Sequence, residues 1–480
     1  MKRSFPAADA WPCRNTVKRA VRSLTRSHSA TLFEYERYPY HIESRDHVKA
    51  DGSLIHLTEE TLQELETLNQ SKRFLEIDRT VIRPLNYIGV VKAGDITLQI
   101  FPKLFRGDAY LRHKDIIARN VLKVLTIAED LSIQEIDAAD LATEDLDFFE
   151  IFVHLFAKNL IPLVKCSQAR QYVTRQEQLR YIRERVETRH YTNPAKLHII
   201  PCVYHEFSMD TPLNRTLKYT CYLMSRMVRS NENSRLLKSI VNLLDAVTLT
   251  PVSLTEVDRI QFNRLNVKFE PFIRICRIFL SHSTLTLQAS DVETFSLLIP
   301  MESLFEEFIA RVLMEEPRFF FGQPVSIMVQ KSEGYLAEDV RGRGIFRLRP
   351  DIVVESGTGL TVIDTKYKVL ESEDRKLGVS QADMYQMYAY VTKTGAESAM
   401  LLYPDTMQEI RGTFLFDAIP EGGLVPEKVP LYIESISLAY DLTSKEGMNR
   451  FRADLAQKMK SLIGSRGLTE SSSVKAKIGA

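Results

Sequence analysis

The sequence predicts an α+β protein built of several domains, with a β-containing module first, a mainly helical middle and an α/β core towards the C-terminus. Three observations predict this fold class. The chain has 480 residues, more than one hydrophobic core normally serves. Short apolar runs near the start and after residue 340 are typical of strands. The apolar residues between these two parts recur at helical spacing.

Composition excludes several classes of protein. Hydrophobic residues make up 44% and charged residues 26%, as in an ordinary folded protein. The formal charge is only +1, so net charge does not indicate a nucleic-acid partner, and a basic DNA-binding surface would have to be local. The five cysteines are scattered without a CxxC pair, which disfavours a disulfide framework and favours a reducing, cytoplasmic setting. No apolar run approaches the roughly 18 residues that cross a bilayer, so no membrane partner is expected.

Residues 1–30 are predicted to form a flexible basic arm. The first 26 residues hold seven lysines and arginines against one acid, Asp9. They contain no apolar core of the kind found in a signal peptide, and an organellar transit peptide is the alternative.

Residues 31–110 are predicted to form a β-rich module. Two apolar runs, at 88–91 and 96–101, are joined by a short connection that contains a glycine. Two such runs with a short loop predict a β-hairpin. Pro102 is expected to end the second strand, because proline cannot donate a hydrogen bond to a neighbouring strand.

Residues 111–290 are predicted to be mainly helical and to couple the chain to a partner. Apolar residues recur at helical spacing over 115–165 and 213–244, and 270–280 has the pattern of one more packed helix. A basic stretch at 170–191 contains six arginines interleaved with three tyrosines. It could bind a phosphate backbone by counterion release. A solvated face or a contact to a protein partner is equally compatible with this pattern.

Residues 291–463 are predicted to form the α/β core, and the polar residues 464–480 a disordered tail. A helix is predicted from residue 301, since Pro300 suits a helix start and an apolar stripe at i, i+3, i+4 and i+7 follows. Strands are predicted at 345–354 and 360–369, a helix at 380–392, and further strands near 398–403 and 430–437.

The candidate catalytic residues lie on the two strands of a predicted hairpin in this core. Asp351 lies on the first strand, and Asp364 and Lys366 lie on the second. Since side chains alternate along a strand, Asp364 and Lys366 point to the same side. The hairpin can bring Asp351 to the same end. The alternative is an exposed Asp/Lys pair on a surface hairpin, worth about 0–1 kcal/mol.

Two carboxylates beside one ammonium suit the hydrolysis of phosphodiester bonds. Asp351 and Asp364 can hold a hard cation such as Mg²⁺, with Mn²⁺ as an alternative, that keeps open positions for water and a phosphate oxygen. Lys366 can orient the attacking water or offset charge that develops on the phosphate. The sequence therefore predicts a metal-dependent nuclease site built on these three residues.

Pro350-Asp351 followed by Asp364-Thr-Lys366 resembles the signature of the PD-(D/E)xK nucleases. This resemblance implies a restriction-endonuclease-like core, in which the helix ahead of the hairpin often contributes an acid to the metal site. Glu306 is the best-matched candidate for that acid, with Glu302 one turn earlier. Both could instead solvate the flank of an amphipathic helix.

Residues 381–390 contain Gln-x-x-x-Tyr twice in overlapping register, which resembles a motif of RecB-like members of that superfamily. The residues concerned are Gln381, Tyr385, Gln386 and Tyr390. The resemblance implies that their amides and phenols contact a DNA backbone. Packing of the tyrosines in the core is the alternative.

Several segments resemble, in the same order, the McrC family, the nuclease subunit of McrBC-type modified-cytosine restriction systems. They are 87–92, 100–103, 204–215, 263–266 and 301–308. The resemblance implies cleavage of DNA in anti-phage defence, with a McrB-like AAA+ GTPase ring as the partner that recognises modified DNA. Pairing of two nuclease subunits is compatible with it. Residues 1–75 lie outside the resemblance.

The chain has no G-x-x-x-x-G-K-[ST] phosphate-binding loop, so a GTP-driven step is expected to come from a partner. Two rival functions stay open. One is a stand-alone RecB-like repair nuclease, and the other is a non-catalytic subunit that activates a GTPase. The complete set of Asp351, Asp364 and Lys366 argues against the second.

Overall fold

A computed structural model describes most of the chain. The described residues are 28–42, 55–94, 96–103, 114–131, 148–166, 169–187, 199–288, 291–330, 334–368, 370, 375–405, 410–418 and 427–463. Nearly all of the predicted basic arm, and the whole of the predicted tail, fall outside these residues. Within them, no helix has both the length and the apolar character needed to cross a membrane.

The N-terminal module is rich in short strands and contains one helix. The strands are β1 (His28–Phe33), β2 (Tyr38–Ile42), β3 (Ile55–Leu57), β4 (Leu75–Ile77), β5 (Val81–Pro84), β6 (Tyr87–Ala93) and β7 (Ile96–Phe101), and the helix is α1 (Glu59–Ser71). β6 and β7 pair antiparallel, which confirms the predicted hairpin, and β7 ends immediately before Pro102. Sequence analysis missed α1, whose start is capped by the side chain of Thr58.

A five-stranded sheet joins this module to a distant part of the chain. The two added strands are β11 (Ser283–Gln288) and β12 (Asp291–Pro300), and the order is β1-β7-β6-β12-β11. β12 pairs antiparallel with β6, from Thr294 opposite Ala93 to Pro300 opposite Tyr87. The strand at 291–300 therefore belongs to this sheet, whereas the predicted boundary assigned it to the C-terminal core. Pairing between distant segments leaves no local signal in a sequence.

The middle of the chain is helical except for one small sheet. The helices are α2 (Lys114–Ala128), α3 (Phe148–Cys166), α4 (Pro212–Ser225), α5 (Asn231–Leu243), α6 (Leu254–Asp258) and α7 (Glu270–His282). The strands are β8 (Gln171–Leu179), β9 (Arg185–Val186) and β10 (Ile200–Ser208), paired antiparallel in the order β8-β10-β9. The expectation of a mainly helical region is wrong for this sheet. The sequence of β8 is Gln-Tyr-Val-Thr-Arg-Gln-Glu-Gln-Leu, which contains too few apolar residues to predict a strand.

The McrC-like segment 204–215 leads from β10 into α4 and has a structural role. The guanidinium of Arg215 donates two hydrogen bonds of 2.7 Å to the carboxylate of Asp210. The side-chain amide of Asn214 donates to the carbonyl of Ala169 at 2.7 Å. The first two bonds join the start of α4 to the end of β10, and the third joins it to the residues just ahead of β8.

A six-stranded mixed sheet forms the C-terminal core. Its strands are β13 (Val325–Val329), β16 (Ile352–Ser356), β17 (Gly359–Thr365), β18 (Ser398–Asp405), β19 (Arg411–Ala418) and β20 (Glu427–Ser437), in the order β13-β16-β17-β18-β20-β19. The β17–β18 and β18–β20 pairs are parallel, and the others are antiparallel. Between β13 and β16, strands β14 (Tyr335–Glu338) and β15 (Gly344–Arg347) form a separate two-stranded ribbon.

Helices cover both faces of the six-stranded sheet. They are α8 (Met301–Glu315), α9 (Pro317–Phe321), α10 (Gln381–Thr394) and α11 (Lys445–Ile463). Ile352 and Ile363 face the core that includes α8 and α11, whereas Val353 and Val362 face the core that includes α10. α8, α10, β17, β18 and β20 agree with the predicted elements, but the predicted strand at 345–354 is wrong, because this stretch divides into β15 and β16, which belong to different sheets. β13, β14, β19 and α11 were not predicted.

Candidate active site

The β16–β17 hairpin brings the two candidate aspartates to the same end of the sheet. Ile352 pairs with Ile363, so Asp351 lies across from Asp364 at the next position of the antiparallel register. Oδ2 of Asp351 accepts hydrogen bonds from the backbone N–H of Thr365 at 2.8 Å and from its hydroxyl at 3.0 Å. These two bonds fix the orientation of the Asp351 carboxylate.

Lys366 lies beside Asp364, as the two-residue spacing predicts. Its Nζ is 2.7 Å from Oδ2 of Asp364, and the side chains are 13% and 0% exposed, respectively. The backbone N–H of Lys366 donates to the carbonyl of Leu402 at 2.9 Å. This bond continues the pairing of β17 with β18 one residue beyond the strand and fixes the backbone of Lys366.

Helix α8 places Glu306 next to Asp351, whereas Glu302 turns away. The carboxyl groups of Glu306 and Asp351 are within hydrogen-bonding reach of each other. Oε1 of Glu306 also accepts a 2.6 Å hydrogen bond from Nε2 of Gln330 at the end of β13. Glu302 is exposed and lies near Tyr35 of the N-terminal module. The structure therefore brings Glu306, but not Glu302, to the two aspartates.

Burial and mutual repulsion raise the pKa of the acids in this cluster. Burial, followed by the negative charge of Asp351, raises the pKa of both Glu306 and Asp364 to about 7. Burial also raises the pKa of Asp351, although hydrogen bonds from Thr365 and the charge of Lys366 oppose it. Burial disfavours the ammonium of Lys366, but the carboxylate of Asp364 outweighs it, and the lysine pKa is raised. Such displaced titrations are typical of functional sites.

The two aspartates fit a hard divalent cation. The Lys366 ammonium, 2.7 Å from Oδ2, is the partner of the buried Asp364 carboxylate, and Oδ1 accepts no hydrogen bond from the described part of the chain. Leaving carboxylate oxygens buried without partners is costly. Across the described ranges, no group of three or more His, Cys, Asp or Glu side chains is arranged to hold a metal ion. Mg²⁺ needs only one or two carboxylates plus water, so Asp351 and Asp364 suffice, while Glu306 is bonded to Gln330.

The two Gln-x-x-x-Tyr motifs lie on α10 and divide into an exposed pair and a more buried pair. Gln381 and Tyr385 are exposed, and the amide of Gln381 donates to the hydroxyl of Tyr385. Tyr390 is buried; its hydroxyl accepts from Gln386 at 2.9 Å and donates to the carbonyl of Arg349 at 3.1 Å. The first pair is accessible to a ligand. The phenol of Tyr390 contacts the chain just ahead of β16, and contact of this tyrosine with DNA stays a prediction.

Asp383 and Lys368 form a second charged pair beside the site that sequence analysis missed. Nζ of Lys368 lies 3.0 Å from each carboxylate oxygen of Asp383. Burial opposes the charge of Asp383, but hydrogen bonds from Ser380 and Lys368 outweigh it and lower its pKa. The Asp383 charge also acts on Asp364 and Lys366. An acid at the start of the helix after the second strand is the signal that could have found it.

A buried network ties the N-terminal module to the residue after Lys366. The hydroxyl of Tyr367 donates to Oε2 of Glu34 at 2.7 Å, and Nζ of Lys103 donates to the carbonyl of Tyr367 at 3.1 Å. The backbone N–H of Lys103 donates to the same Glu34 oxygen at 3.2 Å, and its ammonium lies 4.5 Å from the ring centroids of Tyr367 and Tyr35. Lys103 belongs to a McrC-like segment, but only the fold brings it to the candidate site.

Comparison with models of known protein families places the chain among the components of restriction systems. The matching family model is the McrBC 5-methylcytosine restriction system component, over residues 82–404. Since the match spans well over half of the sequence, the chain belongs to this family, and the resemblance to McrBC-type restriction systems is confirmed. The resemblance to PD-(D/E)xK nucleases stays a prediction. No curated protein sequence matches the chain.

Two solved structures from Thermococcus gammatolerans are similar to the chain. One is a refined half-complex from a tetradecameric assembly of McrB AAA+ hexamers with bound McrC. It has 21% identity and a TM-score of 0.60, and the match covers 90% of this chain and 100% of that chain. The other is the McrBC complex, with 22% identity, a TM-score of 0.47, and coverage of 60% of this chain and 88% of that one. At 21% identity, the similarity to the half-complex shows a shared fold and nothing about function.

Proposed function

We propose that this chain is the endonuclease subunit of a McrBC-type restriction system and cleaves DNA phosphodiester bonds with Mg²⁺, or with Mn²⁺ in its place. The observation that carries the proposal is the meeting of Asp351, Asp364 and Lys366 at one end of the hairpin, with Glu306 against them. The arrangement resembles the PD-(D/E)xK nuclease site. Membership of the McrBC family supports the same conclusion.

The residues divide the work of phosphodiester hydrolysis among them. The carboxylates of Asp351 and Asp364 would hold the cation, and Thr365 keeps the first of them oriented. A bound divalent cation polarises the phosphate and favours a water nucleophile. The ammonium of Lys366, freed from Asp364, can donate to the attacking water or to a phosphate oxygen and offset the developing charge. Glu306 would complete the metal shell from the α8 side.

The exposed start of α10 is proposed to contact the DNA backbone. Gln381 and Tyr385 present an amide and a phenol that can donate to phosphate oxygens. Gln386 and Tyr390 contribute indirectly, because they hold the backbone of Arg349 ahead of β16.

The proposed partner is a McrB-like AAA+ GTPase ring. The similar structure from Thermococcus gammatolerans contains McrB AAA+ hexamers with bound McrC, and this chain has no phosphate-binding loop of its own. The β8–β10–β9 sheet offers a contact surface, where the rings of Tyr172 and Phe207 lie 5.0 Å apart and are 72% and 53% exposed. Exposed aromatic pairs are typical of protein interfaces. Recognition of the modified base would then reside in the ring.

Pairing of two nuclease subunits follows from the chemistry. A single site of two aspartates, one lysine and the bound cation hydrolyses one strand at a time. A double-strand break therefore needs two such sites brought together. The partner's nucleotide state would control that pairing.

Reconstitution tests this function. The full chain is combined with its GTPase partner, GTP and Mg²⁺, and cleavage of modified and unmodified DNA is followed. Asp351→Ala and Lys366→Ala are expected to abolish or strongly slow cleavage while leaving stimulation of the partner's GTPase intact. Asp417→Ala is the matched control, because this acid lies in the same sheet and is 66% exposed away from the site.

The outcomes separate the rival functions. Cleavage of modified DNA that depends on partner, Asp351 and Lys366 supports the proposal. Efficient double-strand cleavage by the chain alone would overturn it in favour of a stand-alone repair nuclease. Stimulated GTP hydrolysis without DNA cleavage would overturn it in favour of a non-catalytic subunit.

A further inference from the structure

The β14–β15 ribbon exposes apolar side chains that the core does not use. It pairs with no other strand in the described part of the chain, and all four residues of β14 are exposed. The exposed apolar residues are Tyr335 (49%), Leu336 (46%), Ile345 (40%), Phe346 (70%) and the fully exposed Val340. Apolar groups clustered on a projecting element mark a binding surface and not a packing surface.

The base of the ribbon adjoins the candidate active site. The backbone N–H of Gln330, which follows β13, donates to the carbonyl of Asp351 at 2.8 Å, and that of Leu348, which follows β15, donates to the carbonyl of Gly334 at 2.9 Å. The side chain of Gln330 donates to Glu306 at 2.6 Å, and Nε of Arg349 donates back to the Gln330 carbonyl at 3.0 Å. At about 3.3 Å per residue, β14 and its turn project roughly 15–20 Å from this base. A polymer with a phosphate at the acids would therefore run alongside the ribbon.

The ribbon is held in one shape by its own side chains. A Cβ atom on Gly344 would lie 2.2 Å from the ring of Tyr335, so only glycine lets this aromatic ring lie across the ribbon. At the turn, the carboxylate of Asp339 accepts from the backbone N–H groups of Arg341 and Arg343 at 2.9 and 2.8 Å. It also accepts from Nε of Arg343 at 2.8 Å. A pre-shaped ribbon loses little conformational freedom when it binds.

The charge of the ribbon points to an anionic partner. The ribbon and the two residues after it, 335–349, contain four arginines and two acids, a surplus of two positive charges in a chain whose total formal charge is +1. The arginines are Arg341, Arg343, Arg347 and Arg349. Arginine beside aromatic and aliphatic groups suits a surface that contacts both phosphates and bases.

We propose that the β14–β15 ribbon lies in the major groove of the DNA duplex, next to the phosphate that the acid site cleaves. This inference rests on the proposed function. Two strands about 4.8 Å apart, with their side chains, are roughly 10 Å wide. The major groove is about 12 Å wide and admits a two-stranded ribbon, whereas the minor groove is only about 6 Å wide. Arg341 and Arg347 would contact the flanking phosphates, and Phe346 and Val340 would lie against base edges.

The test measures cleavage by the full chain in complex with its GTPase partner. One variant combines Arg341→Gln with Arg347→Gln, and another combines Val340→Ser with Phe346→Ser. The matched controls are Arg450→Gln and Leu415→Ser, at residues 67% and 57% exposed elsewhere in the same domain. Each ribbon variant is expected to raise the DNA concentration for half-maximal cleavage about 10-fold. The controls, and stimulation of the partner's GTPase by every variant, are expected to stay at the wild-type level.

A second arm identifies the groove. The DNA is first methylated sparsely with dimethyl sulfate, which modifies guanine N7 in the major groove and adenine N3 in the minor groove. Uncut molecules are then examined for the modified bases that block cleavage. We expect N7-methylguanine within a few base pairs of the cut to interfere with the wild-type chain and to lose that effect in the Val340/Phe346 variant.

The results separate the ribbon from the nuclease assignment. Ribbon variants that cleave like the wild type, or interference from adenine N3 alone, would overturn the ribbon inference and leave the nuclease assignment standing. Interference that persists unchanged in the Val340/Phe346 variant would also overturn it. A wild-type complex that cleaves no DNA would overturn the proposed function and, with it, the inference.

Discussion

Replacing Asp364 with asparagine is expected to stabilise the metal-free protein and to remove its response to magnesium. The side chain of Asp364 is fully buried, and among the described residues only the Lys366 ammonium, 2.7 Å from Oδ2, compensates its charge at hydrogen-bond distance. A neutral amide of the same shape avoids the cost of burying a charge. On the proposed function, stability is traded for metal binding at this position.

The magnitude follows from the pKa of Asp364. Burial, and then repulsion by Asp351, raises that pKa from 3.8 to about 7. Because the pKa of Asp364 is higher in the folded than in the unfolded chain, protonation of this carboxyl stabilises the fold. That stabilisation is complete below pH about 4 and is lost as the pH rises through about 7. At about pH 8 the ionised carboxylate therefore costs about 4 kcal/mol. The buried amide retains part of that cost, so the expected net gain is about 2–3 kcal/mol.

Chemical unfolding at about pH 8, in EDTA and in saturating MgCl₂, measures both effects. Magnesium at 100 times its Kd should stabilise the wild type by about 2.7 kcal/mol and Asp364→Asn by almost nothing. Asp417→Asn, at an acid 66% exposed in the same sheet, is the control and should behave like the wild type. An Asp364→Asn protein that is less stable than the wild type in EDTA, or that keeps the magnesium increment, would refute the reasoning.

Three further predictions concern groups around the site and the N-terminal module. Glu306→Gln should weaken magnesium affinity and slow cleavage, since an amide is a poorer ligand for a hard cation. Unchanged magnesium dependence in a cleavage titration would mean that Glu306 only solvates the flank of α8 and does not bind the metal. Tyr367→Phe removes the 2.7 Å bond to Glu34 and should cost about 1–3 kcal/mol in urea unfolding, with a slower single-turnover rate but unchanged DNA affinity; a wild-type rate would deny it a positioning role. Burial, and then the charge of Lys72, lowers the pKa of His282 to about 4, so the unfolded chain binds the proton first and stability should fall by up to about 3 kcal/mol as pH drops from about 6.5 to 4. His282→Gln should flatten that part of the pH–stability curve. An unchanged slope would show that His282 does not cause the loss of stability at low pH.

Local pattern was sufficient to predict the elements that carry the candidate site. The apolar stripe after Pro300 predicted α8, and alternation along β17 placed Asp364 and Lys366 on one side, where the structure puts them 2.7 Å apart. These features depend on residues within a few positions of one another. Sequence periodicity reports such short-range geometry directly.

Features that depend on distant pairing were not predictable in the same way. β12 joins the N-terminal sheet through β6, and Glu34 meets Tyr367 across more than three hundred residues. β8 escaped notice because its exposed, polar residues lack the apolar alternation of a half-buried strand. Tyr390 belonged to a motif that implied contact with DNA, yet its burial and its bond to Arg349 could be seen only in the folded chain.

The central claim, that Asp364 belongs to a metal-dependent nuclease site, is tested most directly by single-turnover cleavage. The measurement compares complexes reconstituted with wild-type chain and with Asp364→Asn on modified DNA in Mg²⁺. We expect the variant to cleave at least about 10³-fold more slowly, a loss of about 4 kcal/mol of transition-state stabilisation, while stimulating the partner's GTPase to the wild-type extent. Cleavage by Asp364→Asn at the wild-type rate would contradict the account.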